Sequence, residues 1–127
     1  MTRRALRLSS IAIASVVLWG CGSDGDSSGG GGTVVDDGSG IDVTGRSFSF
    51  SPGEIHVAAN EEVVVRLSSR GANHDFVVDE AEFKIEAERG GSAEGAMSPL
   101  PEGTYAFYCS VSGHREAGME GILVVGP

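Results

Sequence analysis

From Ile41 to Pro127 the chain is cut into apolar runs too short to be helices. Ile41 with Val43, Phe48 with Phe50, Ile55 with Val57, and Val63-Val64-Val65 with Leu67 come first. Phe76-Val77-Val78, the alternating Gly103-Thr104-Tyr105-Ala106-Phe107-Tyr108, and Gly121-Ile122-Leu123-Val124-Val125 follow. Ser, Pro, Gly and Asn separate them, and β-branched and aromatic residues dominate them, a composition suited to a pleated, half-buried surface. The pattern predicts six or seven strands at the spacing of an all-β sandwich. Only Glu80 to Arg89 is ambiguous. Ala81, Phe83, Ile85 and Ala87 alternate there among charged residues, so a strand competes with a short helix or a loop. No internal repeat is present.

The chain before Ile41 is different in kind. Arg3, Arg4 and Arg7 precede a mostly apolar stretch, Leu8 to Trp19, that falls well short of the ~20 residues a membrane-spanning helix needs. A positive head and a short apolar run read as an export signal. Its end, Leu18-Trp19-Gly20-Cys21, resembles a bacterial lipobox. That resemblance implies that residues 1–20 are a lipoprotein signal and that Cys21 is lipidated at the mature N-terminus, anchoring an exported bacterial protein to the periplasmic or envelope face of a membrane. An ordinary signal peptide cleaved nearby, leaving Cys21 an idle thiol, is the alternative. Residues 21–40 are rich in Gly, Ser and Asp with Val34-Val35 as their one apolar pair, a composition expected to act as a flexible tether spanning ~25 Å. Residues 41–127 are then the folded domain.

The chain carries 9 Lys and Arg against 18 Asp and Glu. Three of the basic residues and none of the acidic ones precede Cys21, so the remainder bears 6 positive charges against 18 negative, a net −12. Such a surface excludes nucleic acid and an anionic membrane face as electrostatic partners. It suits a basic partner, or solubility alone.

The strongest chemical constraint is an odd thiol. Exported proteins pair their cysteines, and if Cys21 is lipidated Cys109 has no partner. A buried core thiol, an exposed reactive thiol, a metal thiolate and a Cys21–Cys109 disulfide are the possible readings. The surrounding sequence, Tyr108-Cys109-Ser110-Val111-Ser112-Gly113-His114-Arg115-Glu116-Ala117-Gly118-Met119, spaces Cys, His and Met with four residues between each pair. Thiolate, imidazole and thioether suit copper, and a loop between two strands can turn all three toward one point. His74, in Asn73-His74-Asp75-Phe76 at the start of a predicted strand, supplies a second imidazole. Two His, one Cys and a weak axial Met are the ligand set of blue-copper electron transfer. His56 sits in an alternating strand with no soft partner nearby and reads as an ordinary strand histidine.

With these residues assembled, the folded part resembles the cupredoxin family of small blue copper proteins. Phe48, Phe50, Pro52, Ile55, Val57 and Asn60-Glu61-Glu62-Val63 share its upstream pattern, and Gly103 to Cys109 looks like its penultimate strand. The Cys-x4-His-x4-Met loop is more similar to that of auracyanin and rusticyanin relatives than to the shorter one of plastocyanin. The resemblance implies a Greek-key β-sandwich of about eight strands with one copper ion, Cu(I)/Cu(II), at one end. It implies Cys109 as thiolate, His74 and His114 as neutral imidazoles, Met119 as the axial ligand, and His114 as the surface electron port. Asn73, Asp75 and Val111 would surround the ligands, the backbone N–H groups of Asp75 and Val111 pointing at the thiolate. Relatives often carry Asn where this chain has Asp75. A carboxylate accepts hydrogen bonds, here from backbone N–H or from Ser110, but cannot donate them. Its charge should favour Cu(II), so Asp75→Asn is expected to raise the reduction potential in a redox titration, and an unchanged potential overturns that expectation.

Function follows as one-electron shuttling between a donor and an acceptor redox protein that offer a basic or apolar docking surface. The chain is not expected to be an enzyme: there is no nucleophile–base spacing and no phosphate loop, and His56 alone cannot build a second copper site. Copper carriage or storage is the competing reading.

Overall fold

The computed structural model describes residues 32–127. Ten strands lie among them: β1 Thr33–Val35, β2 Ile41–Arg46, β3 Ser49–Ser51, β4 Glu54–Ala58, β5 Val63–Arg70, β6 His74–Val78, β7 Phe83–Ala87, β8 Ser92–Met97, β9 Gly103–Tyr108 and β10 Glu120–Gly126. One sheet runs β1-β4-β10-β9-β6-β7 and the other β3-β2-β5-β8. The strands alternate as their sequences require. In β2, Ile41, Val43 and Gly45 face inward while Asp42 and Arg46 face water; in β5, Val63, Val65, Leu67 and Ser69 face inward. β6 is buried on both faces, which explains its unbroken Phe-Val-Val run.

The core is aromatic at its centre. Phe76 stacks on Phe107 with centroids 4.8 Å apart, and Phe50 meets both edge-on at 5.8 and 5.4 Å. Phe76 is two residues after His74 on β6, and Phe107 is two residues before Cys109 at the end of β9. Side chains two apart on a strand share a face, so the aromatic cluster lies one step down the strands from both groups.

Three features differ from the sequence pattern. The described residues hold ten strands, against the six or seven that the apolar runs predict. β8 was invisible because Ser92-Ala93-Glu94-Gly95-Ala96-Met97 has almost no apolar bulk; it pairs with β5 over six positions, and its residues are small because Phe83 and Ile85 pack over it. A Cβ at Gly95 would sit 2.8 Å from Ile85 Cγ2. The folded part also begins before Ile41: β1, inside the stretch read as tether, pairs in parallel with β4 and packs Val34 on the core. The ambiguous segment resolves into a 3-10 turn, Asp79–Ala81, followed by β7 with Phe83, Ile85 and Ala87 inward. Residues 1–31, with the expected signal, Cys21 and most of the expected tether, lie outside the described residues.

Gly121 is fixed by packing. It stands opposite Phe107 across the β9–β10 pair, and a Cβ there would overlap the Phe107 ring and the Gly53 carbonyl. Gly121→Ala should therefore cost about 1–3 kcal/mol as overpacking, read as a lower urea midpoint with an unchanged slope; an unaltered midpoint would show that the ring can move aside.

Candidate metal centre

β9 and β10 are antiparallel neighbours whose last pair is Tyr108 with Glu120. Cys109 and Met119 are thus the first residues beyond the pairing, and the loop between them must close on itself. It does so through its backbone. Cys109 N–H donates to the Met119 carbonyl (3.1 Å), Met119 N–H to the His114 carbonyl (3.0 Å), and His114 N–H to the Val111 carbonyl (2.9 Å). Gly113 and Gly118 take φ of 83° and 101°, the left-handed turns that let so short a loop fold inward.

His74 comes to the same place from the start of β6. Its Nδ1 lies 3.3 Å from His114 Nδ1, and that atom lies 3.4 Å from Cys109 Sγ. The ligand atoms of all three residues fall within 4.8 Å of one another. Donor atoms ~2.0–2.3 Å from a first-row ion stand ~3.3–3.7 Å apart at tetrahedral or trigonal angles, so these spacings fit a single ion. His74 Nε2 is 3.3 Å from the Arg70 carbonyl. A proton on that nitrogen leaves Nδ1 with its lone pair aimed at the centre. Cys109 and Met119 are fully buried, His74 nearly so, and His114 is partly exposed.

Around the donors, the Asp75 N–H lies 3.5 Å from Cys109 Sγ. The Asp75 carboxylate is buried and accepts from both the backbone N–H and the hydroxyl of Ser110, with the Lys84 ammonium 3.4 Å away. Asn73 does a different job: its Oδ1 accepts the Arg89 N–H at 2.8 Å and ties the β5–β6 turn to the end of β7. His56 lies in β4 against Glu54, away from the three-residue cluster.

Burial pushes the Cys109 thiol above its ordinary range, although the N–H groups of Asp75 and Val111 pull it down. Burial also holds the His74 imidazole below its ordinary range, against the opposing effect of the Arg70 carbonyl. Burial would raise Asp75 as well, but the two Ser110 bonds and Lys84 outweigh it and the carboxyl lies below the usual range. The protein therefore presents a neutral His74 and an ionised Asp75 at neutral pH, and it must release a proton from Cys109 to bind metal as thiolate.

Three neighbours escaped the sequence reading. Gly45 lies under the His74 ring, where a Cβ would approach within 3.1 Å; a lone glycine in a strand is the available signal for such close approach. In the sequence Lys84 is one charge in a charged run. Phe48, grouped with the strand residues, instead occupies a two-residue turn between β2 and β3. Ser47 and Phe48 have φ of 48° and 63°, half of the Phe48 side chain is exposed, and its ring meets His114 edge-on at 5.1 Å.

Two imidazoles, a thiol and a buried thioether form the donor set of a single type 1 copper site. Comparison with known proteins agrees. The family model described as "Cupredoxin-like domain" matches residues 11–125. The chain belongs to the cupredoxin-like family. Among solved structures this cupredoxin is similar to auracyanin A, a "blue" copper protein of Chloroflexus aurantiacus, at 22% identity, covering 75% of this chain and 100% of that one with a TM-score of 0.59. It is also similar to the dithionite-reduced auracyanin of Roseiflexus castenholzii, at 18% identity, covering 78% and 100% with a TM-score of 0.61. The metal-binding domain of a Cu(I)-exporting P-type ATPase from Streptococcus pneumoniae D39 shares the fold at 12% identity, covering 76% and 97% with a TM-score of 0.61. Copper is the cofactor of this cupredoxin, one ion per chain.

The shifted groups set the pH dependence of the copper-free protein. His74 binds its proton more weakly folded than unfolded, so its contribution is present above about pH 6.5 and is lost as pH falls below it. Cys109 binds its proton more tightly folded, so its contribution is present below about pH 8.5 and is lost as pH rises. The melting temperature of the copper-free protein should peak between these values; a curve flat from about pH 5 to pH 9 contradicts both assignments.

Proposed function

We propose that this cupredoxin is a single-electron carrier whose copper is held by His74, Cys109, His114 and, more weakly, Met119. The observation that carries the reading is the convergence of His74 Nδ1, His114 Nδ1 and Cys109 Sγ at one end of a rigid two-sheet core. The bound copper supplies a Cu(I)/Cu(II) couple. The chain's own part is to keep the donors fixed in both states, so that little rearranges on transfer. The backbone closure of the Cys109–Met119 loop and the Arg70 carbonyl behind His74 do this. With four protein donors no position remains for a substrate. His114 is the partly exposed ligand and the natural port, and Phe48 beside it adds apolar surface for a redox partner.

Tethering belongs to the same proposal. Lipidation at Cys21 would hold the domain at the periplasmic or envelope face of a membrane, with the residues before Thr33 as leash. No helix among the described residues is long and apolar enough to cross a membrane. The likeness to the metal-binding domain of a Cu(I) exporter favours one second reading, delivery of copper itself to a partner.

The two readings separate in the visible spectrum. Electron transfer requires an intense thiolate-to-copper band on adding Cu(II), bleached by ascorbate and absent in Cys109→Ser. Copper uptake by the folded protein with no such band would leave the thiolate uncoordinated and turn the assignment to copper delivery.

A further inference from the structure

Asp75 is an ionised group in a place where charges are expensive. Its side chain is only 4% exposed, it directly follows His74, and its own N–H faces the Cys109 sulfur. An isolated carboxylate so buried is strongly disfavoured unless it is paired and hydrogen-bonded. Ser110 supplies two hydrogen bonds but no charge. Among the described residues the only cation against it is Lys84, which comes from the neighbouring strand. β6 and β7 pair Asp75 with Glu86 and Val77 with Lys84, so Lys84 is the diagonal neighbour of Asp75, within reach of a long side chain. Phe83, Ile85 and Ala87 turn into the core, so Lys84 and Glu86 share the opposite face with Asp75. The Lys84 ammonium lies 3.4 Å from Asp75 Oδ2 and 2.6 Å from Glu86 Oε1.

The two contacts of Lys84 are unequal in consequence. Glu86 is 70% exposed, so water screens it and that pair contributes little. Asp75 is shut away from water, so its field on the nearby sulfur is offset chiefly by Lys84. We propose that Lys84 is the counter-charge of Asp75 and thereby a tuning residue for the metal centre, holding the reduction potential above the value an unpaired Asp75 would impose. This rests on the site being a copper electron-transfer centre. The carboxylate favours the more positive copper state, and the ammonium opposes it. Opposite charges on adjacent strands thus give the centre a potential set by their balance, adjustable from the half-exposed Lys84 without touching a ligand.

The test uses the full chain and four variants, Lys84→Met, Lys84→Arg, Asp75→Asn and Asp75→Asn/Lys84→Met, each first shown to give the thiolate-to-copper band. Absence of the band in the unaltered protein overturns the electron-transfer reading on which this inference rests. With the band present, redox titration should place Lys84→Met below the unaltered protein, Lys84→Arg close to it, and Asp75→Asn above it. The double variant should return toward the starting value, because a neutral pair replaces an opposed one. Melting of the copper-free protein gives a readout independent of the metal. Lys84→Met should lower the melting temperature in the presence of Asp75 and have little effect in the Asp75→Asn background, since contacting residues are non-additive. A potential unmoved by Lys84→Met, or moved equally by Lys84→Arg, overturns the inference, as does an equal loss of melting temperature in both backgrounds.

Discussion

The antiparallel pairing of β9 with β10 is the constraint on which the metal centre depends. Its register ends at Tyr108 and Glu120, which leaves Cys109 and Met119 facing each other across the first gap beyond the sheet. The Cys109 N–H to Met119 carbonyl bond then carries the pairing one step further, and the nine residues between must form a closed loop. His114 sits mid-loop, bonded through its backbone to both Val111 and Met119. Three candidate donors from one short stretch are therefore positioned by backbone hydrogen bonds, which do not depend on a metal. The fourth, His74, is placed by β6, which pairs with β9 at Val77 and Tyr108. Because Phe76 and Phe107 stack directly below, any shift of β6 against β9 would have to break the aromatic core.

Electrostatics at the centre work through burial more than through net charge. The chain is strongly acidic, but most of its carboxylates are on the surface, where water and salt screen them. Asp75 differs because it is enclosed by the Ser110 turn and the β7 strand. A carboxylate there joins the two ligand-bearing segments by accepting from Ser110, the residue after Cys109, while its own N–H serves the sulfur. One residue thus links the β6 and β9 ends of the site and charges it at the same time.

The cluster of His74, Cys109 and His114 is legible in the sequence because it depends on spacing within one loop and on a strand pattern that any two-sheet protein must show. What could not be read there was whatever depends on contacts between strands. β8 has almost no apolar signal of its own and exists because β5 and the bulk of Phe83 and Ile85 leave room for a small-residue strand. β1 is three residues long and draws its order from β4. Lys84 looked like one charge among many until the β6–β7 register set it beside Asp75. Phe48 fitted an alternating strand, and only the hairpin between β2 and β3 turns it toward His114.

That hairpin sets stability against exposure. A two-residue turn with both central φ values positive is the form that glycine and asparagine fill with least strain, and a bulky aromatic in the left-handed region costs about 1–2 kcal/mol. Glycine at position 48 would relax the backbone, and the same change would strip the cover from one edge of His114. Selection for a sturdier domain and selection for a shielded imidazole therefore pull this position in opposite directions. Directed evolution for heat resistance alone, with no demand on redox behaviour, should discard the aromatic early.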